Sequence, residues 1–391
     1  MEDSKVKTKK SKTKKIKPKK KISEENLIPE LENLDTILVI GDIHFQFKAV
    51  RECEELIAKI IHQVQNRNPN IIIILGDVLD TCERAHEIPF NMAYDLIKAI
   101  SKDATVYILM GNHDLINASQ FLTNRHFFRP YTEWPNIVIV DKAIKVELTG
   151  EMVVMCPYVP KERFIEALDT TDSGDGDAGD KPWKECKCVF SHVEVNNIIP
   201  FNKTEEQKKE EMVWLPEYPP LISAHIHKPQ NLGSNIYYIG SARQVDSNED
   251  PEKYIWGLSF TERSEYPLDD NGLSIEYIDL GLRAKKEFIL EFDELESFDL
   301  ELSATYKIKI KVNATTEQWK LFKVGSLAKT FKKHDISVVR QASDSVMEDL
   351  KAAIISRNNS TAPVTFEAVL SDIVKNKTNN VQRIYDEIFN V

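Results

Sequence analysis

No apolar run in this chain of 391 residues approaches the ~18 residues of a bilayer span, which excludes an ordinary transmembrane helix. Lysine-rich sequence rather than an apolar stretch follows Met1, so no secretory signal is expected. Cysteine is sparse and odd in number: Cys53, Cys82, Cys156, Cys186 and Cys188. Such a set argues against a disulfide framework and predicts a reducing, intracellular setting, cytoplasmic or nuclear. Cys186 and Cys188 are read as structural thiols rather than a thiolate pair. Histidine is also scarce, nine in all.

Negative charge is scarce in the first segment. Residues 1–21 hold eleven lysines against Glu2 and Asp3, while the whole chain stands at −11, so the remainder is strongly acidic. The arm reads as a disordered tail with affinity for nucleic acid, as a nuclear address, or as a solubilising tail. With 42% apolar residues and 17 phenylalanines, the body has material for two or three cores.

Four segments follow from the pattern: a basic tail over 1–34, an α/β unit over 35–282, a small α+β unit over 283–342 and a C-terminal helical segment over 343–391. From Thr36 to about Ile139, strands alternate with helices. Helices are predicted over 48–65, on the stripe Cys53, Leu56, Ile57, Ile60 and Val64, and over 89–101, which starts at Pro89. That order predicts a largely parallel sheet with right-handed crossovers. Strands are also expected near 137–148, 151–158, 187–191, 221–224, 236–239 and 255–260. Residues 169–180 read as an acidic, glycine-rich loop without the closing glutamate of a calcium site. Past residue 283, strands at 286–292, 304–312 and 336–340 flank one helix over 315–333. At the end, Phe366, Val369, Leu370 and Ile373, then Val381, Ile384, Tyr385, Ile388 and Phe389, form two amphipathic stripes suited to closing a core or docking on a partner.

Five of the histidines fall in short motifs: Gly41-Asp42-Ile43-His44, Gly111-Asn112-His113-Asp114, Ser191-His192 and His225-Ile226-His227, with Gly76-Asp77 between the first two. The first three motifs in chain order follow β-forming runs, Thr36–Ile40, Ile71–Leu75 and Val106–Met110. Acidic, amide and imidazole groups therefore arrive repeatedly at the carboxyl ends of buried strands, where open α/β sheets form ligand sites. Asp42 and His44 are two apart and share a face in extended backbone, as do His225 and His227. Asp77 has two oxygens and can bridge two cations. Mixed nitrogen and oxygen donors without thiolate suit Mn, Fe or Zn, with Mn favoured for a labile hydrolytic centre.

These motifs resemble those of the calcineurin-like metallophosphoesterases, over roughly 36–260. Within that superfamily, the stretch Ile222–His227 with Gln230, then Asn235–Ser241 and Gln244, is similar to the nuclease subunits of double-strand-break repair complexes, the SbcD type and its phage and viral relatives. Ala224 departs from the glycine usual there, and Asp80 stands where some relatives carry histidine. The resemblance implies an α/β fold, a layered α-β-β-α sandwich with a small cap and C-terminal helices. It implies two divalent ions, one held by Asp42, His44, Asp77 and His227, the other by Asp77, Asn112, His192 and His225. A water between them would attack phosphorus. His113 would stand beside the scissile phosphate, and Asp114 would accept a hydrogen bond from His113. Implied partners are DNA, a coiled-coil ATPase subunit and a second copy of the chain. Two other readings remain open: a stand-alone phosphodiesterase or phosphatase on nucleotides or phosphoproteins, and a non-catalytic scaffold.

Overall fold

The computed structural model describes residues 37–82, 86–172, 182–196, 212–263 and 265–341. The basic tail, most of the 169–180 loop, the 205–211 run and the C-terminal stripes lie outside the described residues.

Two six-stranded sheets are stacked face to face. The first contains β1 (Ile37–Ile40), β2 (Ile71–Ile74), β3 (Thr105–Leu109) and β4 (Ile137–Val140), all parallel. It is extended by antiparallel β11 (Ile255–Ser259) and β12 (Ser274–Ile278), in the order β12-β11-β1-β2-β3-β4. The second runs β5-β6-β7-β8-β10-β9. Its centre, β6 (Glu151–Cys156), β7 (Val189–Ser191), β8 (Leu221–Ser223) and β10 (Ile236–Tyr238), is parallel, and β5 (Ile144–Leu148) and β9 (Gln230–Leu232) are antiparallel edges.

The period of two in each strand builds the layers. Leu38, Ile40, Ile72, Ile74, Val106 and Ile108 point to helices α1 (Val50–Arg67) and α2 (Glu87–Ile100), meeting Cys53, Leu56, Ile60, Leu96 and Ile97. Their neighbours Ile37, Val39, Ile73 and Leu109 point the other way, onto Val153, Met155, Phe190, Ile222 and Tyr237 of the second sheet. Because both faces are covered, these strands read as continuous apolar runs rather than alternating ones. Each fully buried isoleucine contributes roughly 1.5–3 kcal/mol. The outer face of the second sheet, Val154, Val189, Leu221, Ile236 and Tyr238, is closed by Phe164, Leu168, Trp183 and Trp214. The result is the α-β-β-α sandwich expected. Cys186 packs in that outer layer and Cys188 between the sheets, and burial pushes both thiols up.

A third sheet holds β13 (Ala284–Glu291), β14 (Tyr306–Asn313) and β15 (Ser337–Gln341), all parallel. The single helix expected over 315–333 is instead two, Thr316–Val324 and Ser326–Lys333. Gly325 takes an extended conformation between them (φ −76°, ψ 168°), and a residue with so little helical preference is where the break is cheapest. Thr315 and Gln318 form a capping box at the first start. Phe322 and Phe331 close a small core with Ile308, Ile310 and Val312. Strands β9 and β12 were not expected. Among the described residues, no helix is long and apolar enough to cross a membrane.

Candidate metal centre

Both large sheets deliver their loops to one end. Asp42 and His44 follow β1, Asp77 follows β2, Asn112 and His113 follow β3, His192 follows β7, and His225 and His227 follow β8. The loops are sewn together through the backbone: Asp77 O accepts from the amides of Ile43 (3.2 Å) and His44 (2.9 Å), and Asp42 O accepts from Ala242 (2.8 Å). Three of the candidate ligands, His44 (φ 48°), Asp77 (φ 47°) and His225 (φ 77°), occupy the left-handed region that side chains avoid. Such strain, on the order of 1–3 kcal/mol per residue, persists only where the surroundings over-determine it, and it concentrates at functional sites. Gly111 explains one close approach: a Cβ there would lie 2.2 Å from Asp77 Oδ1.

Two donor groups result. Asp42, His44 and His227 form one, and Asp77, His192 and His225 the other, with the ligand atoms of each within 4.8 Å of one another. In the first, His44 Nε2 faces His227 Nε2 at 3.0 Å, and His227 Nε2 lies 3.9 Å from Asp42 Oδ2. In the second, His192 Nε2 lies 3.3 Å from Asp77 Oδ2. Asn112 Oδ1 completes this group, 3.0 Å from His192 Nε2 and 2.9 Å from His225 Nδ1. Asp77 Oδ2 also reaches the first group, 3.6 Å from His44 Nε2. It therefore stands between the two.

The outward nitrogens determine what the inward ones offer. His192 Nδ1 donates to Leu75 O at 2.8 Å and His227 Nδ1 to Glu249 Oε1 at 2.7 Å, which leaves both Nε2 lone pairs facing inward. Imidazole lone pairs, carboxylate oxygens and an amide oxygen thus converge without enough protons to satisfy one another. This is the donor set of a divalent cation with mixed nitrogen and oxygen preference, and it fits two ions. Asp42, His44, Asp77 and His192 are buried, and His225 and His227 are half-buried.

Electrostatics follow from that burial. Desolvation pushes Asp42 up despite His192 beside it. Desolvation also opposes ionisation of Asp77, but His192, His44 and His113 outweigh it and hold its carboxyl well below the usual range. His192 is raised to about 9, because Asp77 and Asp42 overcome the cost of burial. His225 falls to about 4, through burial and the neighbouring His192. A cation would replace the protons that this cluster otherwise shares.

His113 stands at the edge, its side chain about one-third exposed (35%), with Nε2 4.0 Å from Asp77 Oδ2. Its Nδ1 lies 2.6 Å from the carbonyl oxygen of Asp80, to which it donates. The expectation for Asp114 is thereby corrected. Asp114 does not receive the His113 ring. It is fully buried and accepts from the amides of Gly111 (3.0 Å), Leu79 (3.1 Å) and Val78 (3.4 Å). Asp114 clips the loop after β3 to the loop after β2, where three amide donors and the nearby His192 offset part of the cost of burying a carboxyl. Its pKa is raised to about 7 by burial and by nearby Asp77. Asp80 accepts from Gln46 Nε2 at 2.7 Å and lies 3.3 Å from His44 Nδ1. Glu249 was missed. Burial disfavours its charge, yet His227 and Lys253 hold it down at about 2. Nothing distinguishes it from its acidic neighbours Asp246 and Asp250 in sequence.

The family model described as calcineurin-like phosphoesterase matches residues 35–257. The chain is 32% identical over 291 residues to 244L of Invertebrate iridescent virus 6, named "Putative phosphoesterase", covering 73% of this chain and 96% of that one. The like-named 078R of Invertebrate iridescent virus 3 is 31% identical over 280 residues, 70% of this chain and 78% of its own. A more distant likeness, 23% over 238 residues, is to "Exonuclease subunit 1" of Enterobacteria phage T4, covering 59% of this chain and 66% of that one.

Proposed function

The chain belongs to the calcineurin-like phosphoesterase family, and we propose that it is a two-metal phosphodiesterase acting on DNA, a nuclease subunit in repair or recombination. One observation carries the hydrolytic part: a partly exposed imidazole, His113, beside a carboxylate oxygen of Asp77 that lies between both donor groups. Asp42, His44, Asp77 and His227 would hold one ion, and Asp77, Asn112, His192 and His225 the other. Mn fits the donor set and a labile hydrolytic role. Bound there, the two cations supply Lewis acidity toward a phosphoryl oxygen and acidify water.

The chain's own residues do the rest. Asp80 O holds one proton on Nδ1 of His113, so Nε2 faces the opening; when the ring carries a second proton there, as the imidazolium, Nε2 can give it to a leaving oxygen or stabilise charge on the phosphate. Leu75 O and Glu249 orient His192 and His227. The Asp114 clip keeps Gly111, and with it Asn112 and His113, at its distance from Asp77.

DNA as substrate is supported by the exonuclease name of the phage relative and by the lysine-rich arm. The deciding experiment compares linear duplex DNA with a small bis-aryl phosphate diester in the presence of Mn. Hydrolysis of both, with DNA preferred, is expected. Hydrolysis of the aryl ester or nucleotides alone would make the chain a stand-alone phosphoesterase, and hydrolysis of neither would make it a scaffold.

The phage relative is named as a subunit, which supports a partner, and the sequence over 366–389 carries apolar residues at the spacing of a docking stripe. An ATPase with a coiled-coil base is the partner proposed, in a complex containing two copies of this chain. Truncation after residue 357 is expected to leave ester hydrolysis intact and to abolish binding to that partner in a pull-down. Aggregation of the truncated chain would assign the stripes to the core instead.

A further inference from the structure

We infer that Arg243 is a positioning residue for the first donor group, gripping the strained turn at His44 and tying it, through Glu52, to the sheet of β13–β15. The inference rests on the ligand assignment proposed above.

Arg243 is 1% exposed, which an arginine tolerates only when its donors and charge are matched. Nε donates to Ile43 O at 3.2 Å, and one terminal nitrogen donates to His44 O. The other terminal nitrogen meets Glu52 Oε1 at 2.8 Å. The planar fork therefore spans two consecutive carbonyls of the loop that carries Asp42 and His44. The amides of the same two residues are held from the other side by Asp77 O. A left-handed turn at His44 is thus gripped at both its donors and its acceptors, which is what keeps Nε2 aimed at His227 against the local strain.

Glu52 extends the grip. Besides Arg243, it lies 3.1 Å from Lys285 Nζ of β13 and 3.9 Å from Lys307 Nζ of β14. The next residue, Gln244, accepts from the Lys285 amide through Oε1 at 2.6 Å. Residues 243 and 244 thus hold the first donor loop with one side chain and the start of the third sheet with the other. The His225 amide donates to Asp42 Oδ2 at 3.1 Å, which ties the second donor group to the gripped loop, but that group has a support of its own, Leu75 O for His192, which Arg243 does not reach. Loss of the fork should therefore be felt at one ion.

Arg243→Lys keeps the charge beside Glu52 but cannot span both carbonyls. The full chain, stripped of metal, is titrated with Mn by calorimetry, and thermal unfolding is followed on the same samples. Two binding steps are expected for the parent chain, and His227→Ala identifies which step belongs to the first group. In Arg243→Lys that step should weaken by roughly 10–100-fold, the usual cost of losing a residue that orients a ligand, while the other is unchanged. Equal weakening of both steps, or a lower melting temperature with both affinities intact, would reduce Arg243 to a structural residue. If Arg243→Lys does not fold, Glu52→Gln decides by the same criterion, since it leaves the fork present but without its counter-charge. Fewer than two steps in the parent chain would overturn the ligand assignment, an outcome distinct from failure of this inference.

Discussion

Asp77→Asn is expected to lose both ions and nearly all activity. Asp77 Oδ2 lies 3.6 Å from His44 Nε2 and 3.3 Å from His192 Nε2, so it is shared by both donor groups. His192 and His44 hold this carboxylate charged in spite of its burial. The amide is nearly the same size, and one of its atoms can still accept the His113 amide as Oδ1 does at 2.8 Å, so the loop should fold. What is removed is the negative charge, together with one of the two oxygens. Metal content by elemental analysis should fall from near two ions per chain to well below one. Turnover should fall on the order of 1000-fold, since the cations together supply several kcal/mol of charge stabilisation. Full metal content and full activity in this variant would remove Asp77 from the centre.

How much of this centre could be read in advance depends on whether a residue's neighbours are in the sequence or only in space. Apolar runs such as Ile71–Leu75 announce a buried strand, and a Gly-Asp after it announces what the strand delivers. The seven residues read as ligands, Asp42, His44, Asp77, Asn112, His192, His225 and His227, do converge. Strand alternation accounts for the two cores on either face of β1–β3. Other features have no periodic signature. Gln230–Leu232 is a three-residue edge strand with two polar residues, held in place by β10 rather than by its own pattern. Ser274–Ile278 does alternate in sequence at Ile275 and Tyr277, but the structure buries its two ends, Ser274 and Ile278, and leaves Tyr277 exposed.

The errors at the site share one cause. The family resemblance implies a hydrogen bond from His113 to Asp114, but adjacent residues on a turn diverge. Here His113 faces the opening while Asp114 turns into the protein to meet three amides. The residue that does orient His113 offers only its backbone, Asp80 O, and no sequence motif encodes a carbonyl. Arg243 and Glu249 act from 199 and 22 residues away from the histidines they touch. Long-range polar contacts of this kind leave no local trace, whereas apolar packing does.

Because backbone amides satisfy Asp114, the second large effect, that of His113→Ala, can be read cleanly. If Asp114 had held the ring, removing His113 would have left a buried carboxyl without its partner, and loss of stability would have confused the reading. Asp114 is satisfied without it, and the His113 amide, not its ring, supports Asp77 Oδ1. Truncation to alanine keeps that amide and removes only the partly exposed imidazole. Both ions and DNA affinity are therefore expected to stay, with a melting temperature near that of the parent chain. Single-turnover hydrolysis should slow by at least ~100-fold, the usual contribution of a positioned proton donor or charge stabiliser. The loss should shrink for an aryl ester with a good leaving group, because a leaving oxygen that departs as the anion has little use for the proton on Nε2. An equal loss for both substrates would assign His113 to charge stabilisation on the phosphate alone. Loss of metal in this variant would make His113 a ligand, and the 4.0 Å between its Nε2 and Asp77 Oδ2 would then be the first distance to close on binding.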